Sequence, residues 1–321
     1  MKNILITSAG KRVVLVQLFQ KTLKELGLEA KVYTTDMRPM MAPACIVSDE
    51  GIKVSPCTAE GYIDELVQIC QERNIGVIVP TIDTELTVLA TNSQRFSEMG
   101  VEIVLSDKDF ISVCRDKRQT QHYLQDLGIE VPKAVDKYHP TFPLFVKPYD
   151  GSLSTDIHVV HNQKELTPEM LENPKYMFME YIDRTEYREY SVDMYYGKDH
   201  CVKGIVPRER IAVRAGEINK GKTRKNEIVG FLKERMGFLP GVRGCLCFQL
   251  FYCESDHNIK ASEINPRFGG GFPLTYHAKA NYVEYIIREY LLGETIDYSD
   301  SWLDNTMILR YDNDIIIYDA K

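Results

Sequence analysis

Glu263, Asn265 and Arg267 stand at alternate positions in the stretch Lys260–Gly271, KASEINPRFGGG, and Gln249 stands in the apolar run Cys245–Cys253 just before it. In an extended chain, side chains alternate faces, so Gln249 shares a face with Cys245, Cys247, Phe251 and Cys253, and Glu263 with Ile259, Ala261 and Asn265. The polar segment Glu254-Ser255-Asp256-His257-Asn258 separates the runs and predicts an antiparallel hairpin. With its loop centred on Asp256, Gln249 sits opposite Glu263. A carboxylate beside an amide carbonyl, with Asn265 two residues on, makes an oxygen ligand set for a hard cation. Magnesium takes few protein ligands of this kind and completes its octahedron with water and substrate phosphates. Arg267, following Pro266, is placed to grip a transferred phosphate or acyl phosphate through two parallel hydrogen bonds. An incidental polar face is the competing account, but a buried strand rarely carries Glu and Gln inward without a partner.

A second group of residues has the chemistry of anion binding. Lys147 interrupts the apolar segment Phe142-Pro143-Leu144-Phe145-Val146-Lys147-Pro148, and an ammonium on a half-buried strand is costly unless an anion meets it. The loop that follows, Tyr149–Asp156, carries Gly151, Ser152 and Ser154, small residues whose backbone N–H groups can turn toward phosphate oxygens as a lid. The densest basic stretch, Pro207–Glu217, continues to Lys220, Lys222, Arg224 and Lys225. On a strand Arg208, Arg210 and Arg214 project together, and an acidic protein that concentrates its arginines has an anion site there. Arg208 and Arg210 are preferred near the phosphates or a substrate carboxylate, ahead of Arg214 and Lys222.

The run Glu263-Ile264-Asn265-Pro266-Arg267-Phe268, with Gln249 on the preceding strand, closely resembles the ATP-grasp superfamily in its carbamoyl-phosphate-synthase-large-subunit-like branch. The resemblance implies an enzyme that uses ATP to activate a carboxylate as an acyl phosphate, which an amine then attacks. It implies ATP with Mg2+ or Mn2+, two ions, on Gln249, Glu263 and Asn265, and catalytic roles for Arg267, Asn265 and Arg208. Lys117, in Arg115-Asp116-Lys117, resembles the family's first phosphate-binding lysine, with Lys147 as its partner and Arg210 beside them. The segment Met177–Asp183 has the form of the family's adenine site, where Glu180, Tyr181 and Ile182 read the base through backbone groups. Glu189 takes the ribose hydroxyls, with Glu186 as the substitute should the loop slip. The family's phosphate loop is usually richer in glycine; here Gly151 alone remains.

The elements that must position these residues begin with a doubly wound parallel sheet. Asn3–Ile6, Ala30–Thr34, Gly76–Pro80 and Val101–Leu105 are expected as strands, and Val13–Leu26, Tyr62–Arg73 and Ala90–Met99 as helices, the first closed by Gly27. The first turn, Thr7–Arg12, has one glycine where a dinucleotide fingerprint asks for three, which argues against a nicotinamide enzyme. Ligands of such sheets bind at the carboxyl ends of the strands, so Ser8, Asp36 and Thr81–Glu85 are candidates for an acceptor pocket. Ser106, three residues before Asp109, is expected to cap a short helix through Cys114, and a second helix runs from Lys117 to Leu127 before Gly128. Helices are further expected over Asn226–Arg235 and Asn281–Leu292, and terminal strands over Met307–Arg310 and Ile315–Tyr318. The fold class is therefore α/β, with an α+β catalytic part. Its lobes are a Rossmann-like domain over residues 1–106, a lid with connecting helices over 107–179, and an antiparallel catalytic part over 180–321.

The 321 residues are 44% hydrophobic, as in folded globular chains, and the net charge of -7 argues against a nucleic-acid partner. No apolar run approaches the roughly eighteen residues of a membrane span, and the start lacks a signal-peptide pattern. Eight cysteines without framework spacing, several in apolar runs, point to reduced thiols in a cytoplasm. Expected partners are small-molecule carboxylate and amine substrates, with no membrane partner and with a homodimer compatible. A kinase or carboxyphosphate-forming enzyme on the same nucleotide site, and a catalytically silent nucleotide-binding module, are the competing readings. Gln249 and the glycine-poor loop keep the silent module open as an alternative.

Overall fold

The computed structural model describes residues 1–151 and 155–318. Its first sheet holds β1 (Asn3–Thr7), β2 (Val32–Asp36), β3 (Glu50–Lys53), β4 (Ile75–Pro80) and β5 (Glu102–Ile103), all parallel, in the order β3-β2-β1-β4-β5. The apolar runs of β1 and β4 suit strands covered on both faces. Alternation sends Ile4 and Ile6 into a core with helix Val13–Glu25, and Leu5 into another with helix Tyr62–Glu72. The chain steps outward from β1 to β3 and then returns to β4 on the other side of β1. The strand order therefore reverses between β1 and β4.

Helix Val13–Glu25 ends as expected: Gly27 adopts φ +67°, and the Leu28 N–H closes on the Leu23 carbonyl at 3.0 Å. Its buried face, including Leu18, Phe19 and Leu23, shares one core with Tyr195, Val206, Phe268 and Phe272. That shared core fixes the turn before the helix against the C-terminal half.

A three-stranded antiparallel sheet of β6 (Leu144–Pro148), β7 (His158–Val160) and β8 (Tyr176–Glu180), ordered β7-β6-β8, forms a small separate layer. The largest sheet is antiparallel and contains β9 (Tyr187–Tyr196), β10 (Val202–Arg214), β11 (Glu217–Thr223), β12 (Gly244–Cys253), β13 (Ile259–Asn265) and β14 (Met307–Leu309). Its order is β13-β12-β9-β10-β11-β14. Gln249 pairs with Glu263 and Cys247 with Asn265, as the centred loop requires; a register shift follows between Gln249 and Leu250.

Several expectations need correction. The helix expected over Ala90–Met99 is two helices, Asp83–Thr91 and Ser93–Ser97, broken at Asn92, whose side-chain amide donates to the Val88 carbonyl at 2.9 Å. Ser106 does not cap the next helix. Its hydroxyl is exchanged with the backbone of Arg243, at 3.2 and 3.1 Å, and helix Lys108–Arg115 begins after Asp107 instead. Tyr282–Ile286 is α-helical but continues as a π-helical turn over Ile287–Leu291. No strand forms over Ile315–Tyr318, whose isoleucines lie exposed. No helix among the described residues is long and apolar enough to cross a membrane.

Candidate active site

The two antiparallel sheets and the segments that follow β1 and β4 surround a cavity of about 400 Å³. The hairpin of β12 and β13 supplies its polar wall. The Gln249 amide donates to Glu263 Oε1 at 2.6 Å, and the Asn265 amide donates to the same oxygen at 3.1 Å. The other carboxylate oxygen lies 3.8 Å from Lys117 Nζ. Burial acts to raise the Glu263 carboxyl, but Lys117, Lys147, the Asn265 amide and Arg267 together hold it below its ordinary value. The group is an anion at neutral pH.

Lys147, near the end of β6, is buried, and that burial lowers its ammonium from the usual lysine value against the opposing pull of Glu263. Lys117 opens helix Lys117–Asp126, where its N–H meets the Tyr149 carbonyl at 3.0 Å and its ammonium the Gly151 carbonyl at 2.5 Å. The loop after β6 is thereby fastened to the first turn of that helix. Two ammonium groups face one carboxylate, so this wall attracts a further anion.

Arg267 is oriented from the opposite side. Its Nη2 donates to Asp83 Oδ2 at 2.7 Å and its Nη1 to the Phe268 carbonyl at 3.0 Å. Asp83 outweighs the effect of burial and keeps the guanidinium charged.

At the other end, Glu180 closes β8. Its carboxylate accepts from the Lys133 N–H at 3.0 Å and from Lys260 at 2.7 Å, and its own N–H is given to the Lys133 carbonyl. Tyr181 and Ile182 continue the wall, with apolar side chains of Ile157, Val159, Met179, Phe251 and Ile264 around them. Glu189 also reaches the cavity, whereas Glu186 is exposed to solvent. Arg184 and Arg210 lie 3.3 and 3.0 Å from the Glu189 carboxylate.

Arg208 and Arg210 both line the cavity, and each already holds a carboxylate. Arg208 is only 1% exposed and donates to Asp193 at 2.6 Å, while Asp193 accepts a second bond from Thr275. Its Nε and Nη1 have no hydrogen-bond partner among the described residues. Arg210 spans Ser191 and the Gly216 carbonyl as well as Glu189. The shared parity of the arginines fails beyond Arg210, because the register of β10 slips before Ala212. Arg214 consequently pairs with Asp312 on the surface; Lys222, on β11 opposite Glu209, is paired with that carboxylate. Ser152 and Ser154 lie outside the described residues; Gly151 lines the cavity.

The carboxylate of Glu263 with two amides fits a magnesium ion that draws its remaining ligands from phosphates, and it is too sparse for a metal held by protein alone. Consistent with that, the described residues contain no group of three or more His, Cys, Asp or Glu side chains able to hold a metal.

The family models match the chain in two places. The PylC-like N-terminal domain matches residues 4–104, and the ATP-grasp family described as belonging to the biosynthetic pathway with the Ter operon matches residues 172–308. Its fold is that of ATP-grasp proteins, and its C-terminal part carries the ATP-grasp family match. Among solved structures, biotin carboxylase from Campylobacter jejuni superposes with a TM-score of 0.72 at 14% identity, over 96% of this chain and 74% of that one. N5-carboxyaminoimidazole synthetase from Staphylococcus aureus, complexed with ADP, gives 0.69 at 17% identity, over 96% and 81%. The L-amino acid ligase from Bacillus licheniformis gives 0.67 at 17% identity, over 91% and 74%. No curated protein matches the sequence.

The sequence pattern does not mark Arg12 or Glu217 as cavity residues and offers Asp83 only as one of a five-residue run. Arg12 is hard to see in the sequence because a single arginine in a strand-to-helix turn has the same appearance as an exposed surface charge. Ser8 and Asp36 do not line the cavity: the Ser8 carbonyl accepts from Thr81, and the Asp36 carboxylate from the Arg38 N–H. Glu85 is fully buried against Tyr62.

Proposed function

We propose that this chain is an ATP-dependent carboxylate–amine ligase. The supporting observation is a single cavity that brings the Gln249, Glu263 and Asn265 ligand face, the Lys117 and Lys147 ammonium groups and Arg267 to one end, and the Glu180–Ile182 segment to the other.

In this reading Tyr181, Ile182 and the apolar side chains around them enclose the base. The Glu180 carboxylate is committed to Lys133 and Lys260, which rigidifies the strand end that presents the neighbouring backbone groups. Glu189 takes the ribose hydroxyls, released in part from Arg184 and Arg210. Lys117, Lys147 and the Gly151 loop hold the phosphates, with Arg210 behind them. Glu263, with the carbonyl oxygens of Gln249 and Asn265, would hold Mg2+ or Mn2+, which when bound offsets charge on the phosphates. Both amides must rotate to present oxygen, since each donates to Glu263 in this structure. Arg267 stabilises negative charge as the γ-phosphoryl moves to a substrate carboxylate, and Arg208 anchors the wall behind it. Attack by an amine on the acyl phosphate breaks the acyl C–O bond, forms the amide and releases phosphate.

The amide orientation of Gln249 favours one second reading, a nucleotide-binding module without turnover. Release of both ADP and phosphate, dependent on an added acid and amine from an amino-acid and carboxylate library, is the expected result. Nucleotide binding without ADP formation under any combination would favour the silent module. ADP without free phosphate would point to a kinase with a stable phosphorylated product.

A further inference from the structure

The strand order of the first sheet reverses between β1 and β4, and in open parallel sheets that reversal opens a crevice beyond the carboxyl ends of the two strands, where ligands bind. Here the crevice faces the catalytic cavity. Arg12 follows β1 and Asp83 follows β4, and both line the cavity. They are opposite in charge, and each leans on a residue from the C-terminal half. Asp83 meets Arg267 through Oδ2 alone, at 2.7 Å, and its Oδ1 has no partner among the described residues. The Arg12 guanidinium makes one ion pair, 3.6 Å from Glu217, and no side-chain hydrogen bond among the described residues. Glu217 is itself held by Arg310 at 2.8 Å. Its carboxylate occupies the space a side chain at position 270 would need: a Cβ on Gly270 would lie 2.2 Å from Glu217 Cδ.

We propose that the amine substrate is an α-amino acid, held as a zwitterion in this crevice, with its carboxylate on Arg12 and its ammonium on the free oxygen of Asp83. The proposal deepens the ligase reading by naming the class of one substrate, and it rests on that reading for which substrate the ligand is. A neutral amine would leave Arg12 with only its long contact to Glu217, and a dicarboxylate would place a second negative charge against Asp83. A zwitterion satisfies both walls. It also puts its nitrogen beside the residue that orients Arg267, the side of the cavity where an acyl phosphate would be attacked.

The test is calorimetric binding to the full chain, with and without saturating MgADP, using a panel of L- and D-α-amino acids. Each amino acid is matched with its decarboxylated amine and its N-acetyl derivative. We expect at least one amino acid to bind at least about tenfold tighter than both of its analogues, as loss of one charge-assisted hydrogen bond predicts. Arg12→Gln should erase the preference over the decarboxylated amine and leave the preference over the N-acetyl form, with Arg12→Lys restoring part of it. Asp83→Asn should do the reverse. MgADP affinity, measured in the same variants, should change less than about threefold, which separates loss of the crevice from loss of the fold. Equal binding of amino acids and decarboxylated amines overturns the proposal, as does equal binding of amino acids and N-acetyl forms. If amino acids bind with this discrimination but no ADP forms, the ligase reading fails while the crevice assignment stands. If ADP and phosphate form with amines that lack a carboxylate as readily as with amino acids, the reverse holds.

Discussion

At the scale of single residues, the site depends on one carboxylate. Glu263 is the acid that Gln249, Asn265, Lys117 and Lys147 all address, so Glu263→Gln removes both the negative ligand and the counter-charge of two ammonium groups. ADP formation should fall by about a hundredfold or more, the scale on which single electrostatic contacts to a transition state act. The stability consequence has a definite sign. The folded-state pKa lies below the ordinary value of 4.5, so Glu263 contributes its stabilisation in full above that pH and loses it as pH falls through the lower folded value. Urea unfolding of wild type and Glu263→Gln should therefore differ most near neutrality and converge in the acid range. A gap that stays constant with pH would mean that the carboxylate is not held ionised by its neighbours. Lys147 runs the other way: its depressed pKa means that the unfolded chain binds more protons in the alkaline range below its ordinary value of 10.5, so its unfavourable contribution fades as pH rises there.

At the scale of elements, the glycine run after β13 is where backbone and buried charge come closest. A Cβ on Gly271 would sit 2.0 Å from Arg208 Nη1 and 3.2 Å from its Cζ. Arg208 cannot retreat, since it is enclosed and tied to Asp193. Gly271→Ala should cost about 1–3 kcal/mol, as overpacking of a tight core does, and lower the Tm by several degrees. Gly61→Ala, where nothing lies within 4 Å, should leave it unchanged, and calorimetric scans of the two variants decide the matter. The β12–β13 hairpin was legible because period-two alternation and a polar five-residue loop admit few registers, so Gln249 opposite Glu263 followed from side-chain pattern alone. The arginines of β10 were not, because a register slip is a property of two strands and leaves no mark in the spacing of one. The short β3 and the helix Pro43–Val47 were equally hidden. Their contact requires Gly51, whose Cβ would lie 2.5 Å from Cys45 Cβ, and neither segment is long enough to show a period. Ile315–Tyr318 misled in the opposite direction: its β-branched residues have the propensity of a strand, but pairing ends with Leu309 and no partner strand among the described residues reaches them.

At the scale of the whole molecule, the cavity belongs to no single sheet, and its two ends should respond to different ligands. The Lys147 and Glu180 walls hang on the three-stranded sheet, whose small core of Leu144, Val146, Val160, Leu166 and Phe178 is separate from the others. Arg12 and Asp83 follow strands of the first sheet, and that sheet is joined to the C-terminal half through the shared core around Phe19 and Phe268. A layer with so small a core opens locally at lower free energy than the joined body, so a ligand that bridges the two slows exchange most in the layer. Hydrogen-exchange mass spectrometry should accordingly show MgADP protecting β6, β8 and the β12–β13 hairpin, while β3 and β14, at the outer edges of their sheets, are unchanged. Adding an amino acid to the MgADP complex should extend protection to the turns that carry Arg12 and Asp83. Protection spread evenly over all three sheets would mean that the ligand stabilises the molecule as one cooperative unit, and the division of labour between the lid end and the crevice end would then be wrong.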